Sequence, residues 1–141
     1  MKVIDGSSEK KIDAPKIRGR AFQMTVEKAK AEPDVMTGIF PVNSLPALIL
    51  FDIGATKSFV SLFFCKGFSL VKGRLDEPLE VEIGDEKSRL VSDVYRGNVI
   101  EIETVRFSID LIPIVMKEIN VIVGMDWLSR HRAHLTVRIN G

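Results

Sequence analysis

Cysteine is nearly absent: Cys65 is the only one in 141 residues. A lone thiol excludes an intrachain disulfide framework and any zinc knuckle built on several cysteines. It also fits a reducing compartment. Long hydrophobic runs are missing too. Every apolar stretch is far shorter than the roughly 20 residues that span a bilayer as a helix. The opening Met1-Lys2-Val3-Ile4 gives way at once to Asp5, Gly6 and two serines, without the apolar core of a signal peptide. A cytoplasmic setting with no membrane partner is therefore expected. Neither sign of charge is in excess: Lys and Arg total 20 against 19 Asp and Glu. Electrostatics gives no reason to expect nucleic acid as a partner of this domain. The two histidines, His131 and His134, have no third ligand nearby and read as surface residues, so neither a metal nor another cofactor is expected. No repeat of solenoid period is visible.

What is present is an ordinary globular composition, 45% apolar and 28% charged, at a length that suits one domain. Composition shifts near residue 34. Lys2, Lys10, Lys11, Lys16, Arg18 and Arg20 outnumber Asp5, Glu9 and Asp13, with few large apolar side chains among them. Residues 1–34 read as a flexible basic linker arm. Within it Thr25 can cap a short helix over Val26–Glu32 that Pro33 ends. Residues 35–141 hold the folded domain, and they read as strands. Val35–Val42 meets a turn at Asn43-Ser44. Pro46–Phe51 is a continuous apolar run suited to a buried strand. Ser58–Phe64 fits a short helix or a strand, with Gly67 as its stop. Leu79–Ile83 alternates with period two, meets Gly84-Asp85 and resumes at Arg89–Val91, which is a hairpin signal. Val94–Ile102 and Val105–Ile114 look like a further pair. Val121–Val123 precedes Gly124 and a helical turn over Asp126–Arg130 capped by Asp126. His134–Ile139 is a final alternating strand. The pattern predicts an all-β barrel or sandwich with one or two short helices. Trp127 reads as a core anchor, and Cys65, among Phe63, Phe64 and Phe68, as a buried small hydrophobe.

The chemistry-bearing segment is Leu48-Ile49-Leu50-Phe51-Asp52-Ile53-Gly54-Ala55-Thr56-Lys57-Ser58-Phe59-Val60. A carboxylate directly after a buried strand is costly unless it is hydrogen-bonded or used. Gly54 lets the backbone turn sharply and aim its N–H groups at that carboxylate. Ala55 is small, and Thr56 can bond the loop backbone. An aspartate that merely closes a strand-end turn would look the same.

Phe-Asp-x-Gly-Ala-Thr-x-Ser-Phe-Val resembles the active-site loop of retropepsins, the aspartic proteases of retroviruses and long-terminal-repeat retrotransposons. The likeness is to the plant gypsy-type gag-pol polyproteins, in which a Val-Ile-Leu-Gly-Met-Asp-Trp-Leu segment follows about seventy residues after the loop. Here Val121-Ile122-Val123-Gly124-Met125-Asp126-Trp127-Leu128 stands at that spacing. Arg20–Thr25, Ala31–Val35 and Thr37-Gly38 resemble the linker that precedes protease there, so the likeness spans roughly residues 18–138. It implies a closed-barrel acid-protease fold and an aspartic endopeptidase of retroelement polyprotein. Asp52 is the implied catalytic residue, on an active-site loop of Ile53, Gly54, Ala55 and Thr56. Val121, Ile122, Val123 and Gly124 are the implied second loop, and Ile83, Gly84, Asp85 and Glu86 the tip of a flap closing over an extended peptide.

Aspartic proteolysis needs two carboxylates sharing a proton, one as base on water and one as acid. One such loop is present, and Asp126 lacks the glycine turn. The second aspartate is therefore expected from another copy, in a C2 homodimer with Asp52 of each chain at the axis. One departure matters. The family carries Ser or Thr after the aspartate, where its hydroxyl braces the two loops across the axis; Ile53 offers no hydrogen bond, so weak dimerisation and low activity are expected. The absence of a knuckle or polymerase segment points to a fragment or relic of such an element. Two alternatives stay open. One is a non-catalytic peptide-binding or dimerisation module on the same fold. The other is a fragment of an actin-like sugar kinase, whose first phosphate loop Asp52-Ile53-Gly54-Ala55-Thr56-Lys57 also resembles; two large lobes would then be needed, more than this chain can supply.

Overall fold

The structure is a computed structural model that describes residues 16–18, 26–82 and 88–131. Its strands are β1 (Lys16–Arg18), β2 (Val35–Val42), β3 (Leu45–Asp52), β4 (Phe59–Ser61), β5 (Gly73–Glu82), β6 (Ser88–Ile102), β7 (Val105–Ile114) and β8 (Val121–Val123). A helix α1 (Val26–Ala31) precedes β2, a 3-10 turn (Phe64–Gly67) follows β4, and helix α2 runs over residues 125–131. The strand order is β1-β5-β6-β2-β3-β8-β4-β7, and β7 also pairs with β6, so the pairings from β6 round to β7 close on themselves. This is the mostly-β closed architecture expected from the strand pattern.

Turn chemistry sets the hairpins. Asn43 and Ser44 both have positive φ, at 51° and 69°, as do Glu103 and Thr104, at 47° and 72°. Two successive positive-φ residues are what a two-residue hairpin turn requires to match strand twist. They join β2 to β3 in register from Val42↔Leu45 to Val35↔Asp52, and β6 to β7 from Ile102↔Val105. Asn43 does more than turn. Its Nδ2 donates to Asn98 Oδ1 at 3.0 Å, and its own Oδ1 accepts from Val99 N at 2.9 Å. The fully buried Asn98 gives its Nδ2 hydrogens to Tyr95 O and Ile109 O at 2.7 and 3.0 Å, so its amide is satisfied.

Two sequence expectations need correction and one open choice is resolved. Arg89–Val91 and Val94–Ile102 are parts of one strand, β6, whose irregular register between Tyr95 and Asn98 contains Gly97 at φ 75°. A glycine there absorbs an extra residue without ending the strand. The open choice at Ser58–Phe64 resolves as a strand, β4, followed by the 3-10 turn, whose Phe64 N–H donates to Ser61 Oγ at 2.9 Å. Asp126 is not a cap, because α2 already begins at residue 125. Thr25 and the expected strand His134–Ile139 lie outside the described residues.

The apolar run of β3 is buried on both faces, as its unbroken hydrophobicity requires. Ile49 and Phe51 face a core that includes Ile100, Leu111, Val121 and Trp127. Leu50 faces a second cluster with Phe59, Ile122 and Ile112. Trp127, 2% exposed, donates its Nε1 hydrogen to Ser108 O at 3.1 Å and meets Phe107 edge-on. Full burial of each such side chain contributes about 1.5–3 kcal/mol. β3 is therefore a rigid rod, and what stands at its end is held firmly.

Candidate active site

Asp52 is that end residue. Only 3% of it is exposed. β3 runs parallel to β8, with Phe51 opposite Val123, so the ends of both strands arrive side by side. The chain then turns: Gly54 N–H donates to Asp52 Oδ1 at 2.8 Å and Ala55 N–H to Asp52 O at 3.1 Å. Among the described residues the carboxylate has no other hydrogen bond. A buried carboxylate with one donor is under-satisfied, and such groups are retained where chemistry uses them. Ile53 caps the bend and is 49% exposed, its N–H held by Asp34 O at 3.3 Å.

The second segment locks this loop from below. The first N–H groups of a helix have no partner within it, and α2 directs them at the loop: Met125 N–H donates to Ala55 O at 2.7 Å and Asp126 N–H to Thr56 O at 3.1 Å. Gly124 makes the approach possible, because a Cβ there would lie 2.2 Å from Lys57 O and 2.8 Å from Ala55 O. Gly124 N–H donates to Ser58 Oγ at 2.9 Å, and Ser58 Oγ donates in turn to Asp126 Oδ1 at 2.7 Å. Ser58 is 1% exposed. Asp126 is thus engaged with the loop serine and is not free to act as a second catalytic carboxylate.

Ser58→Ala leaves the buried Gly124 N–H and one Asp126 oxygen without partners. The expected cost is about 1–3 kcal/mol, read as a lower urea midpoint at unchanged m. An unaltered midpoint would contradict the coupling of the two loops. Ser58 was quoted in the sequence motif but given no role there; its partners lie 66 and 68 positions away.

The structure brings Asp52, Ile53, Gly54, Ala55 and Thr56 together with Val123 and Gly124, while Val121 and Ile122 pair further down with Ile49 and Leu50. Ile83, Gly84, Asp85 and Glu86 lie outside the described residues. The strands leading to them are paired from Leu79↔Val91 to Glu82↔Ser88, as the hairpin signal implied. Cys65 is buried and its Sγ donates to Leu62 O at 3.4 Å; burial pushes its thiol pKa up. His131 is half-buried and not simply a surface residue, its ring 4.5 Å from that of Trp127; His134 is outside the described residues. No group of three or more His, Cys, Asp or Glu among the described residues could hold a metal ion. No helix among them is long and apolar enough to cross a membrane.

Comparison with known proteins bears on this arrangement. The family model described as retroviral aspartyl protease matches residues 16–139. The chain belongs to that family. Its fold is similar to the EIAV protease solved with the inhibitor HBY-793, at TM-score 0.53 and 17% identity over 70% of this chain and 88% of that one. It is similar as well to the retroviral protease-like domain of Ddi1 from Leishmania major, at TM-score 0.53 and 13% identity over 72% and 80%. No curated protein matches the chain. The fold is a retropepsin fold, and a closed all-β sheet of this kind has no place for the two lobes of a sugar kinase.

Proposed function

We propose that this chain is one half of an aspartic endopeptidase, with Asp52 as its catalytic residue. A second copy supplies the other carboxylate, and the substrate is an extended segment of a polyprotein of the gypsy type. The observation that carries the reading is the under-satisfied Asp52 carboxylate at the end of a rigid strand, on a loop braced by Gly124 and α2. Two such groups brought together titrate apart, so one is a base while the other is an acid. The ionised member takes a proton from water, which attacks the scissile carbonyl. The protonated member polarises that carbonyl and then passes a proton to the leaving amine. The loop tip, with Ile53 and Gly54 exposed, is the surface available to the second copy. Gly84 and Asp85 are the proposed flap tip.

Ile53 stands where a cross-axis hydroxyl would be needed, so the dimer is weak and turnover low. That same residue favours a second reading, in which the domain binds peptide or a second copy without cleaving. The readings part on one assay: peptide cleavage at acidic pH by the purified chain and by its Asp52→Asn variant. Turnover that Asp52→Asn abolishes supports the protease. Binding with no turnover in either protein supports the module, and turnover that survives Asp52→Asn contradicts the assignment of Asp52.

A further inference from the structure

The Asp52 carboxylate ends a strand beside an exposed loop tip, yet the residue is only 3% exposed. Other parts of the same chain must enclose it. The apolar cluster beside it contains Leu50, two positions back on the same face of β3, with Phe59 and Ile122 from the barrel, Leu79 and Val81 from the β5–β6 hairpin, and Ala55 from the loop. Helix α1 belongs to this cluster through Ala29, which is 0% exposed.

β1, α1 and Asp34 are each tied to the rest of the fold. β1 pairs in parallel with β5, Lys16↔Glu80, Ile17↔Val81 and Arg18↔Glu82, along the edge of β5 that faces away from β6. Val26 N–H donates to Glu118 Oε1 at 2.9 Å. Beyond the helix, Asp34 O accepts from Ile53 N–H at 3.3 Å, directly next to Asp52.

We infer that β1 and residues 26–34 are a cover acting in cis, which occupies the groove between the β5–β6 hairpin and the Asp52 loop. This rests on the reading of Asp52 as catalytic. A peptide that adds as a strand to the hairpin competes for the edge of β5 that β1 fills. A peptide that reaches Asp52 competes for the apolar wall that Ala29 fills. The cover is suited to leave: helices well under about 12 residues are marginal on their own, and α1 has 6. Local opening of such a segment does not require the barrel to unfold.

The test uses the full chain and does not depend on turnover. An aspartate-directed epoxide esterifies an accessible carboxylate when the carboxylate oxygen opens the ring and the alkoxide takes a proton from water. Mass spectrometry of the Asp52 peptide gives the labelling rate. Ala29→Glu, which puts a charge into the apolar wall, is expected to raise that rate about 10-fold or more. Glu118→Ala removes only the exposed acceptor of Val26 N–H and is expected to raise it about threefold. It decides the matter if Ala29→Glu fails to fold. A folded variant labelled no faster than the parent overturns the cover. A variant that also carries Ile53→Ser, in which Asp52 labels readily and the chain dimerises but no peptide is cleaved, contradicts the protease reading and leaves the cover standing.

Discussion

Gly124→Ala lowers the thermal unfolding midpoint by roughly 10–20 °C and removes any peptidase activity that the parent chain shows. The added methyl would sit 2.2 Å from Lys57 O and 2.8 Å from both Lys57 C and Ala55 O, and all three are backbone atoms. No side-chain rotation relieves that contact. Either the second loop withdraws, which breaks the hydrogen bonds from Met125 and Asp126 to the loop carbonyls, or the Asp52 loop is displaced. Overpacking costs about 1–3 kcal/mol, and more where backbone must move. About 3 kcal/mol or more is therefore expected, measured by differential scanning calorimetry. A midpoint within about 3 °C of the parent would show that the loops do not pack as described.

Ile53→Ser works in the other direction. In the proposed homodimer a hydroxyl at this position bonds across the axis, whereas the isoleucine side chain, 49% exposed in the single chain, has no group to do so. A net hydrogen bond contributes about 1 kcal/mol, and symmetry applies it twice. About 2 kcal/mol corresponds to roughly 30-fold in the dimer Kd. Sedimentation equilibrium should show the parent chain largely monomeric where Ile53→Ser is dimeric, with peptide cleavage rising alongside. A parent chain that is already a tight dimer, or an Ile53→Ser chain that associates no better, would remove Ile53 as the cause of weak pairing.

Local signals were legible in the sequence wherever the chain's neighbours in space are its neighbours in order. The β2–β3 hairpin could be read from an apolar run bounded by Asn43-Ser44, and the Asp52 turn from a carboxylate two residues before Gly54. The Gly124 motif was read through family likeness, but its physical reason is visible only in the fold: two backbones meet there. Contacts between distant segments were illegible. Nothing in the spelling of Ser58 announces a hydrogen bond to Asp126. The same holds for α1. A short helix over these residues was expected from Pro33 and the residues before it, but the total burial of Ala29 depends on the hairpin and barrel that surround it. The junction of Arg89–Val91 with Val94–Ile102 was missed because the polar pair Ser92-Asp93 reads as a break, while pairing with β5, Asp93 opposite Arg74 and Val94 opposite Gly73, carries the strand through.

Whether each chain supplies half of a catalytic centre can be decided by mixing. Ile53→Ser chain is combined with Asp52→Asn/Ile53→Ser chain in equal amounts, at a fixed total concentration above the dimer Kd, and peptide cleavage is followed at acidic pH. Random pairing leaves only dimers with two aspartates active, so cleavage falls to about one quarter of the undiluted rate. A fall to about one half would mean that each chain works alone, and that Asp52 is not one member of a shared pair.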